Sequence, residues 1–426
     1  MIIKLLVGLS VIVFIHELGH FLAAKLFKVK VEKFYLFFDI GGKKLFSIKK
    51  NGTEFGIGWF PLGGYVKMSG MIDESFDLEG LANSTDKDHE FRYKPAWQRL
   101  IILSAGVILN FILGIGLITG LTLNQEFIPN DELKNGIYAY QAGENLGFQS
   151  GDKILKLNNH NIDNYSSISP LDFYKGTFLV ERNNQIVEID LTGKVSFMDA
   201  VRKKFISPMN FLPIIENVQS GSLAERINMQ KKDLILKLDT IQITSIAEFQ
   251  EKLQNINRND SILIEYESGS IVKQAKVSLQ NEAYLGIIFS VPIKYQKYSF
   301  FSALISGCKS SFELLYTNVI SLKLIFTGEV STKSVSGPIG IAKIYGDDTS
   351  IERFINITAM LSLVIGFMNI LPIPGLDGGH ILIILFETIT RRKLSEKVQT
   401  VILTIGMVLI LGLMLFAIIN DIVNLI

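Results

Sequence analysis

The sequence predicts a polytopic α-helical membrane protein with four transmembrane helices and two inserted extracytoplasmic α+β domains. The composition points to a membrane, because 48% of the 426 residues are hydrophobic and only 19% are charged, where soluble proteins average about 25% charged residues. The apolar residues are concentrated in four long runs, and the rest of the chain has an ordinary composition. An internal repeat between the second and third runs predicts two copies of one soluble domain.

Each apolar run is long enough to cross a bilayer as a helix, which takes about 20 residues. The first run is followed by no small-residue cleavage site, so it is interpreted as a span rather than a signal peptide. A fifth apolar stretch, 312–326, is too short to cross and is predicted to lie at the membrane interface. The predicted segments are helix 1 (1–27), a cytoplasmic loop (28–98), helix 2 (99–123), two soluble domains (124–202 and 203–295), interfacial amphipathic helices (296–350), helix 3 (351–390) and helix 4 (398–423).

Basic residues beside the spans predict the orientation, because cytoplasmic loops are enriched in lysine and arginine. Lys25, Lys28, Lys30 and Lys33 follow helix 1, and the basic run 391–393 lies between helices 3 and 4. Both of these loops are therefore predicted to be cytoplasmic. Both termini and the soluble domains are then predicted to lie outside.

Net charge and cysteine content argue against a nucleic-acid-binding protein and exclude a disulfide-stabilised one. The net charge is only +1, which gives no electrostatic case for a nucleic-acid partner. Cys308 is the single cysteine, so the chain has no intrachain disulfide framework.

The repeat consists of GDKILKLNN at 151–159 and KDLILKLDT at 232–240. In the second copy, a Gly221-Ser222 turn, a short helical stretch and the strand after Asp233 resemble a PDZ domain, and the first copy resembles one more weakly. PDZ domains bind an extended peptide by adding it to a sheet edge. The alternative is that these copies only cap or space the membrane part.

Helix 1 contains the pattern His16-Glu17-Leu18-Gly19-His20. Residues four apart lie on one face of a helix, so both imidazoles can reach one Zn²⁺. Glu17 would lie beside the metal, where it can accept a proton from water. The alternative is a pair of histidines that only hydrogen-bond within a helix bundle, but burying three ionisable groups in a span costs roughly 2.5 kcal/mol or more for each one.

Two histidines leave a tetrahedral zinc in need of a third protein ligand and an open position. The run 369–380, NILPIPGLDGGH, contains two prolines and three glycines that break helix 3 at membrane depth. Such a break is tolerated only where the backbone packs on protein or lines a cavity. Asp377 is favoured as the third ligand, and His380, one helical turn later, is the alternative.

These motifs resemble the site-2 protease family of intramembrane zinc metalloproteases over nearly the whole chain. The resemblance implies that His16, His20 and Asp377 bind Zn²⁺ and that Glu17 is the catalytic base. It also implies a cytoplasmic, membrane-associated β-hairpin at 61–68, and the glycine-punctuated stretch 55–68 is predicted to offer a strand edge to an unwound substrate.

The family resemblance also implies a group of substrate-positioning residues: Asn369, Asn110, Gly63, Gly64, Tyr65 and Val66. The stretch GVILNF at 106–111 resembles a family pattern around Asn110, with Val107 in place of the usual proline. A hydrogen bond between two helices is the alternative role for Asn110.

The implied activity is hydrolysis of a peptide bond within or near the transmembrane segment of a single-span protein, in a bacterial inner membrane. The implied substrates are a clipped anti-sigma factor or a signal-peptide remnant, both already cut outside the membrane. One alternative is a non-catalytic zinc-containing scaffold that binds peptides, although structural zinc sites usually close with four ligands. The other is a metal transporter, but helices 2 and 4 offer almost no polar path.

Overall fold

A computed structural model describes residues 1–71, 87–127, 136–162, 165, 168–209, 211–256, 261–278, 285–291, 294–328, 337–346 and 350–423. The chain forms two compact units, one made of Met1–Asn124 with Lys297–Ile426 and the other of Gln125–Gln296.

The described helices are α1 (Ile2–Leu26), α2 (Ala96–Thr122), α3 (Gln141–Glu144), α4 (Pro170–Lys175), α5 (Phe197–Arg202), α6 (Leu223–Arg226), α7 (Ile246–Asn255), α8 (Phe300–Phe326), α9 (Pro338–Tyr345), α10 (Ile351–Ile370), α11 (Asp377–Thr390) and α12 (Glu396–Val423). The described strands are β1 (Val31–Phe38), β2 (Lys44–Lys50), β3 (Thr53–Gly58), β4 (Phe60–Met68), β5 (Asn124–Phe127), β6 (Ile137–Ala139), β7 (Lys153–Leu157), β8 (His160–Asn161), β9 (Thr177–Arg182), β10 (Gln185–Asp190), β11 (Ile206–Pro208), β12 (Ile215–Val218), β13 (Leu234–Leu238), β14 (Ile241–Gln242), β15 (Ser261–Ser268), β16 (Ile271–Ser278), β17 (Ile287–Phe289) and β18 (Lys294–Lys297).

Four helices among the described residues are long and apolar enough to cross a membrane, namely α1, α2, α10 and α12. The predicted number of spans is therefore confirmed, and the chain is a multi-pass membrane protein. The predicted break in helix 3 is present, because α10 ends at Ile370 and α11 begins at Asp377. Helix α2 is central to this unit, since it packs against α1, α8, α10 and α11.

Helix α8 lies within the predicted interfacial segment 296–350, but it extends further toward the amino terminus than the apolar stretch 312–326. Helix α8 begins at Phe300 rather than at 312, and it is 27 residues long. Its first half contains several serines, Gly307 and Lys309, which lower the local hydropathy without breaking the helix. Ala303 and Ser311 in this half are buried, and Gly307 lies against Thr119 of α2. Its location at a membrane surface stays a prediction.

The prediction of a β-hairpin at 61–68 is wrong, because these residues belong to the single strand β4. Strands β1 to β4 form one four-stranded sheet in the order β2-β3-β1-β4. Strand β1 lies between β3 and β4, parallel to the first and antiparallel to the second. The strand that carries Gly64, Tyr65 and Val66 is therefore an edge strand of a larger sheet, and its one described partner is β1.

The soluble unit consists of two halves with the same strand order. Sheet β10-β9-β7-β8 in the first half corresponds to β16-β15-β13-β14 in the second, and pair β6-β11 corresponds to β12-β17. Each half has its own apolar core, around Phe178 in the first half and around Ile264 in the second. Because β11 pairs with β6, the boundary between the halves lies after residue 208 rather than at the predicted 202.

Candidate metal centre

The two histidines of α1 and the carboxylate at the start of α11 converge on one point. Nε2 of His16 lies 3.2 Å from Nε2 of His20. Oδ2 of Asp377 lies 3.2 Å from Nε2 of His16 and 3.3 Å from Nε2 of His20. These three side chains form the group of described residues whose arrangement can hold a metal ion. His380 does not belong to this group.

The triangle of ligand atoms has the size that zinc requires. With bonds of about 2.0–2.1 Å, the ligand atoms of a tetrahedral zinc lie about 3.3 Å apart, close to all three measured separations. Oδ2 of Asp377 is buried and has no hydrogen-bond partner among the described residues. Asp377 supplies one corner of the triangle, and the Glu17 carboxyl group lines the same cavity, so carboxyl oxygens, which suit a divalent cation, surround this point.

The backbone of α2 fixes the ring of His20. Nδ1 of His20 donates a hydrogen bond to the carbonyl oxygen of Ile102 at 2.9 Å, which leaves the lone pair of Nε2 for a metal. Gly106 permits this approach, because a Cβ at that position would lie 2.4 Å from Nε2 of His20. Sequence analysis missed both contacts, although Ile102, Gly106 and Asn110 recur at helical spacing on one face.

The ring of His16 is held from the same face of α2. The amide of Asn110 lies 3.2 Å from Nδ1 of His16, and its Oδ1 is buried without a partner among the described residues. Turning the amide by 180° would let Oδ1 accept a hydrogen bond from Nδ1–H, which again leaves Nε2 for a metal. Ser362 of α10 donates to the carbonyl oxygen of Asn110 at 2.8 Å, so the arrangement joins three helices.

The break between α10 and α11 positions Asp377. The backbone is extended at Leu371 and at Leu376. Gly375 has a φ of 92°, a conformation that glycine adopts readily because it lacks a Cβ. Asp377 then occupies the first turn of α11. The amino end of a helix favours a negative charge there, so the interrupted helix positions the Asp377 side chain at the triangle.

A cavity of about 90 Å³ opens beside the three ligand atoms. Glu17, Asn369 and His380 line it, together with Leu103 of α2 and Met71, which sequence analysis did not identify. The amide nitrogen of Asn369 lies 3.3 Å from Nε2 of His16. Asn110 is fully buried and does not line the cavity.

Strand β4 forms one wall of this cavity through Gly64, Tyr65, Val66 and Met68. A Cβ on Gly64 would lie 2.7 Å from Val13 of α1 and 3.5 Å from the Glu17 side chain, so only glycine lets the strand lie this close. Gly63, in contrast, lies against Phe38 and outside the cavity lining.

Polar contacts with Asp39 hold the ring of Tyr65. Its hydroxyl donates to Oδ1 of Asp39 at 2.9 Å, and Nζ of Lys33 donates to Oδ2 at 3.0 Å. Burial of Asp39 opposes its ionisation, but these two hydrogen bonds outweigh that effect and hold its pKa below the usual value. Asp39 is therefore an ionised anchor for a residue of the cavity wall.

Comparison with known proteins assigns the chain to a family. A family model described as peptidase family M50 matches residues 4–413. The chain belongs to peptidase family M50. Zinc is the metal of this M50 peptidase, and its activity is that of a membrane-embedded zinc metalloprotease. The scaffold and transporter alternatives are set aside on this ground.

Relatives of this M50 peptidase match it from end to end. A protein of Haemophilus influenzae named "Regulator of sigma E protease" is 28% identical over 455 residues, covering 99% of this chain and 98% of the relative. The Escherichia coli "Regulator of sigma-E protease RseP" is 29% identical over 458 residues, covering 98% and 97%. A solved PDZ domain from Listeria monocytogenes covers 19% of this chain and 87% of its own, with 20% identity and a TM-score of 0.17.

Proposed function

We propose that this M50 peptidase cuts single-span membrane proteins inside the bilayer, after a first cleavage has trimmed their external part. The observation that carries the proposal is the edge strand β4 beside a cavity that also contains Glu17 and the three ligand atoms. The substrates proposed are a clipped anti-sigma factor, in keeping with relatives that are named regulators of sigma E, or a signal-peptide remnant, which has the same single-span chemistry.

In this proposal, each side chain of the site has one role. His16, His20 and Asp377 would hold Zn²⁺, which supplies Lewis-acid activation of water and of the peptide carbonyl when bound. Glu17 accepts the proton of the attacking water and delivers it to the leaving amine. Asn369, which lines the cavity beside His16, holds the substrate backbone, while Asn110 acts through the ring of His16.

A transmembrane substrate must unwind before it is cut, because its carbonyl groups are engaged in helical hydrogen bonds. The open edge of β4 offers replacement hydrogen bonds to an unwound segment, in the manner of β-strand addition. Gly64, Tyr65 and Val66 would hold that segment directly beside Glu17.

The proposal also assigns a location and a gatekeeping role. In it, the catalytic cavity faces the cytoplasm of a bacterial inner membrane, and both termini and the two repeated halves lie on the outer side. The basic residues of the loops after helix 1 and between helices 3 and 4 support this orientation. The two repeated halves are proposed to be PDZ-like domains that exclude substrates with a bulky external part. The alternative role for these two halves is to bind peptides by strand addition.

Two model substrates test the substrate class. Both share one transmembrane segment and one cytoplasmic tail, but one carries a folded external domain and the other ends shortly beyond the membrane. We expect the purified, zinc-loaded chain to cut the trimmed substrate much faster than the untrimmed one, measured by gel and mass spectrometry. Equal rates would reject the size filter, and no cleavage of either substrate would reject the proposed activity.

A proline in the edge strand tests the proposed strand addition. We expect Val66→Pro to lower kcat/KM by about tenfold or more, because proline cannot donate a backbone hydrogen bond to the substrate. Val66→Thr is the matched control, since it keeps the β-branched shape and the N–H. Zinc content and thermal stability must match between the two variants. If Val66→Pro folds, keeps its zinc and turns over at the rate of Val66→Thr, the strand does not pair with substrate through this group.

A further inference from the structure

A second cavity adjoins the catalytic one and has no part in the mechanism above. It has a volume of about 250 Å³. Met71 and His380 belong to the linings of both cavities. His380 lies one helical turn after Asp377 on α11, so it stands where the two cavities meet. The two cavities are therefore neighbours on either side of His380 and Met71.

The second cavity carries an excess positive charge. Among the residues that the structure describes, Arg92, Arg99 and Lys393 line it, against one carboxylate, that of Glu387. Arg99 donates to Oε2 of Glu387 at 3.3 Å, and Arg92 donates to the fully buried Glu90 at 2.6 Å. Lys393 forms no ion pair with any residue that the structure describes. Two of the three cations are thus balanced, and one positive charge is left over.

The cavity also contains a donor without an acceptor. Nε of Arg99 is buried and has no hydrogen-bond partner among the described residues. Glu387 cannot satisfy it further, since its Oε1 already accepts from the backbone N–H of Leu394 and the side chain of Gln399. Buried donors without partners are rare and point to a missing ligand. A guanidinium donor beside an unpaired ammonium suits a carboxylate.

Strand β4, the proposed binding edge for the substrate, leads toward the positively charged second cavity. The strand ends at Met68, and Gly70 and Met71, which follow it, line the second cavity. A peptide that lies along the edge of β4 and continues past Met68 therefore runs into the second cavity.

We propose that the second cavity is a carboxylate subsite of the peptidase, in which Nε of Arg99 and Nζ of Lys393 bind an anionic group of the peptide. This inference rests on the proposed strand addition. Hydrolysis of a peptide bond consumes one water and yields a new carboxylate and an amine, so one product fragment carries the required ligand. An acidic side chain next to the cut in the uncleaved substrate supplies the same chemistry.

Lys393→Gln in the zinc-loaded full chain tests the subsite. Arg392→Gln is the matched control, because it removes a neighbouring positive charge that does not line the cavity. The first arm compares inhibition by the amino-terminal product peptide as a free acid and as a carboxamide. The second arm compares KM for substrates with Glu or Gln at successive positions of the cytoplasmic flank. Zinc content and melting temperature verify that both variants fold.

We expect Lys393→Gln to reduce the preference for the charged peptide by about tenfold, the size of one charge-assisted hydrogen bond, while Arg392→Gln preserves it. The comparison between variants is decisive, since a free acid also has access to the metal. An effect in the first arm identifies the new terminal carboxylate as the ligand, and one in the second arm identifies an acidic side chain. An unchanged preference in both arms would overturn the proposal.

A binding measurement separates this inference from the proposed activity. Displacement of a fluorescent product peptide from the Glu17→Gln protein reports the subsite without any turnover. If wild-type protein cuts its substrates but Lys393→Gln leaves both preferences and the displacement unchanged, only the subsite is rejected. If no single-span substrate is cut, the proposed activity is rejected, and the displacement measurement still decides about the subsite.

Discussion

Replacement of Glu17 by glutamine is expected to lower the turnover of a single-span substrate by about 100- to 10,000-fold, the usual contribution of a positioned general base. Glutamine preserves the size of the side chain but cannot accept a proton. Glu17 lines the cavity and is absent from the group of ligand atoms, so stoichiometric zinc is expected to remain. The measurements are single-turnover cleavage rates and zinc content by atomic absorption.

Glu32→Gln is the control for this experiment. Glu32 lies on β1, outside the cavity lining, and its nearest cation is Lys67 at 3.7 Å. The same change of charge there should leave turnover near the wild-type value. Wild-type turnover in Glu17→Gln would refute its role as the base. Loss of zinc from Glu17→Gln would show instead that Glu17 is needed to bind the metal.

Sequence patterns could predict the local part of the site because helical geometry is regular. Histidines four residues apart on an apolar helix must share a face, and His16 and His20 do lie with their Nε2 atoms 3.2 Å apart. The two prolines at 372 and 374 lack a backbone N–H and cannot continue a helix, so the break before Asp377 was also predictable. The meeting of Asp377 with the two histidines was inferred from family resemblance and chemistry, because spacing along the chain does not give distances between helices.

Local sequence patterns did not predict which strands pair in the sheet that contains β4. The stretch 55–68 has glycine-punctuated β-type sequence, which suggested two neighbouring strands joined by a turn. In the structure, β1 lies between β3 and β4, and nothing in the pattern of either strand identifies a third partner. The edge position of β4 was nonetheless predicted, and it is the property on which the proposed substrate binding depends.

Hydropathy located the spans but not every helix boundary. The apolar stretch 312–326 covers only the second half of α8, because serine and lysine residues lower the hydropathy of the first half, although Gly307 of that half lies against Thr119 of α2. The contact from the Ile102 carbonyl to His20 is a backbone interaction, so no side-chain motif could have predicted it. The carboxylate subsite was missed for a related reason, since Arg99 and Lys393 come from distant parts of the chain.

Removal of the Asp377 carboxylate is expected to abolish zinc binding and therefore turnover. Asp377→Ala leaves two histidine ligands and a void where Oδ2 lies 3.2 and 3.3 Å from the imidazole nitrogens. Loss of a partner that only orients a ligand already weakens metal binding by about 10- to 100-fold, so loss of the ligand itself should exceed that range. Zinc affinity measured by competition with a chromogenic chelator gives the value directly.

His380→Ala is the matched variant, because His380 is the alternative ligand by sequence and lies on the same helix, one turn later. It lines the cavity but has no atom in the metal-binding group, so His380→Ala should retain zinc with near wild-type affinity. The reverse result, with zinc lost from His380→Ala and kept by Asp377→Ala, would mean that the metal occupies a different position. Since Glu17 is placed to serve a metal held by Asp377, that outcome would also require a different base.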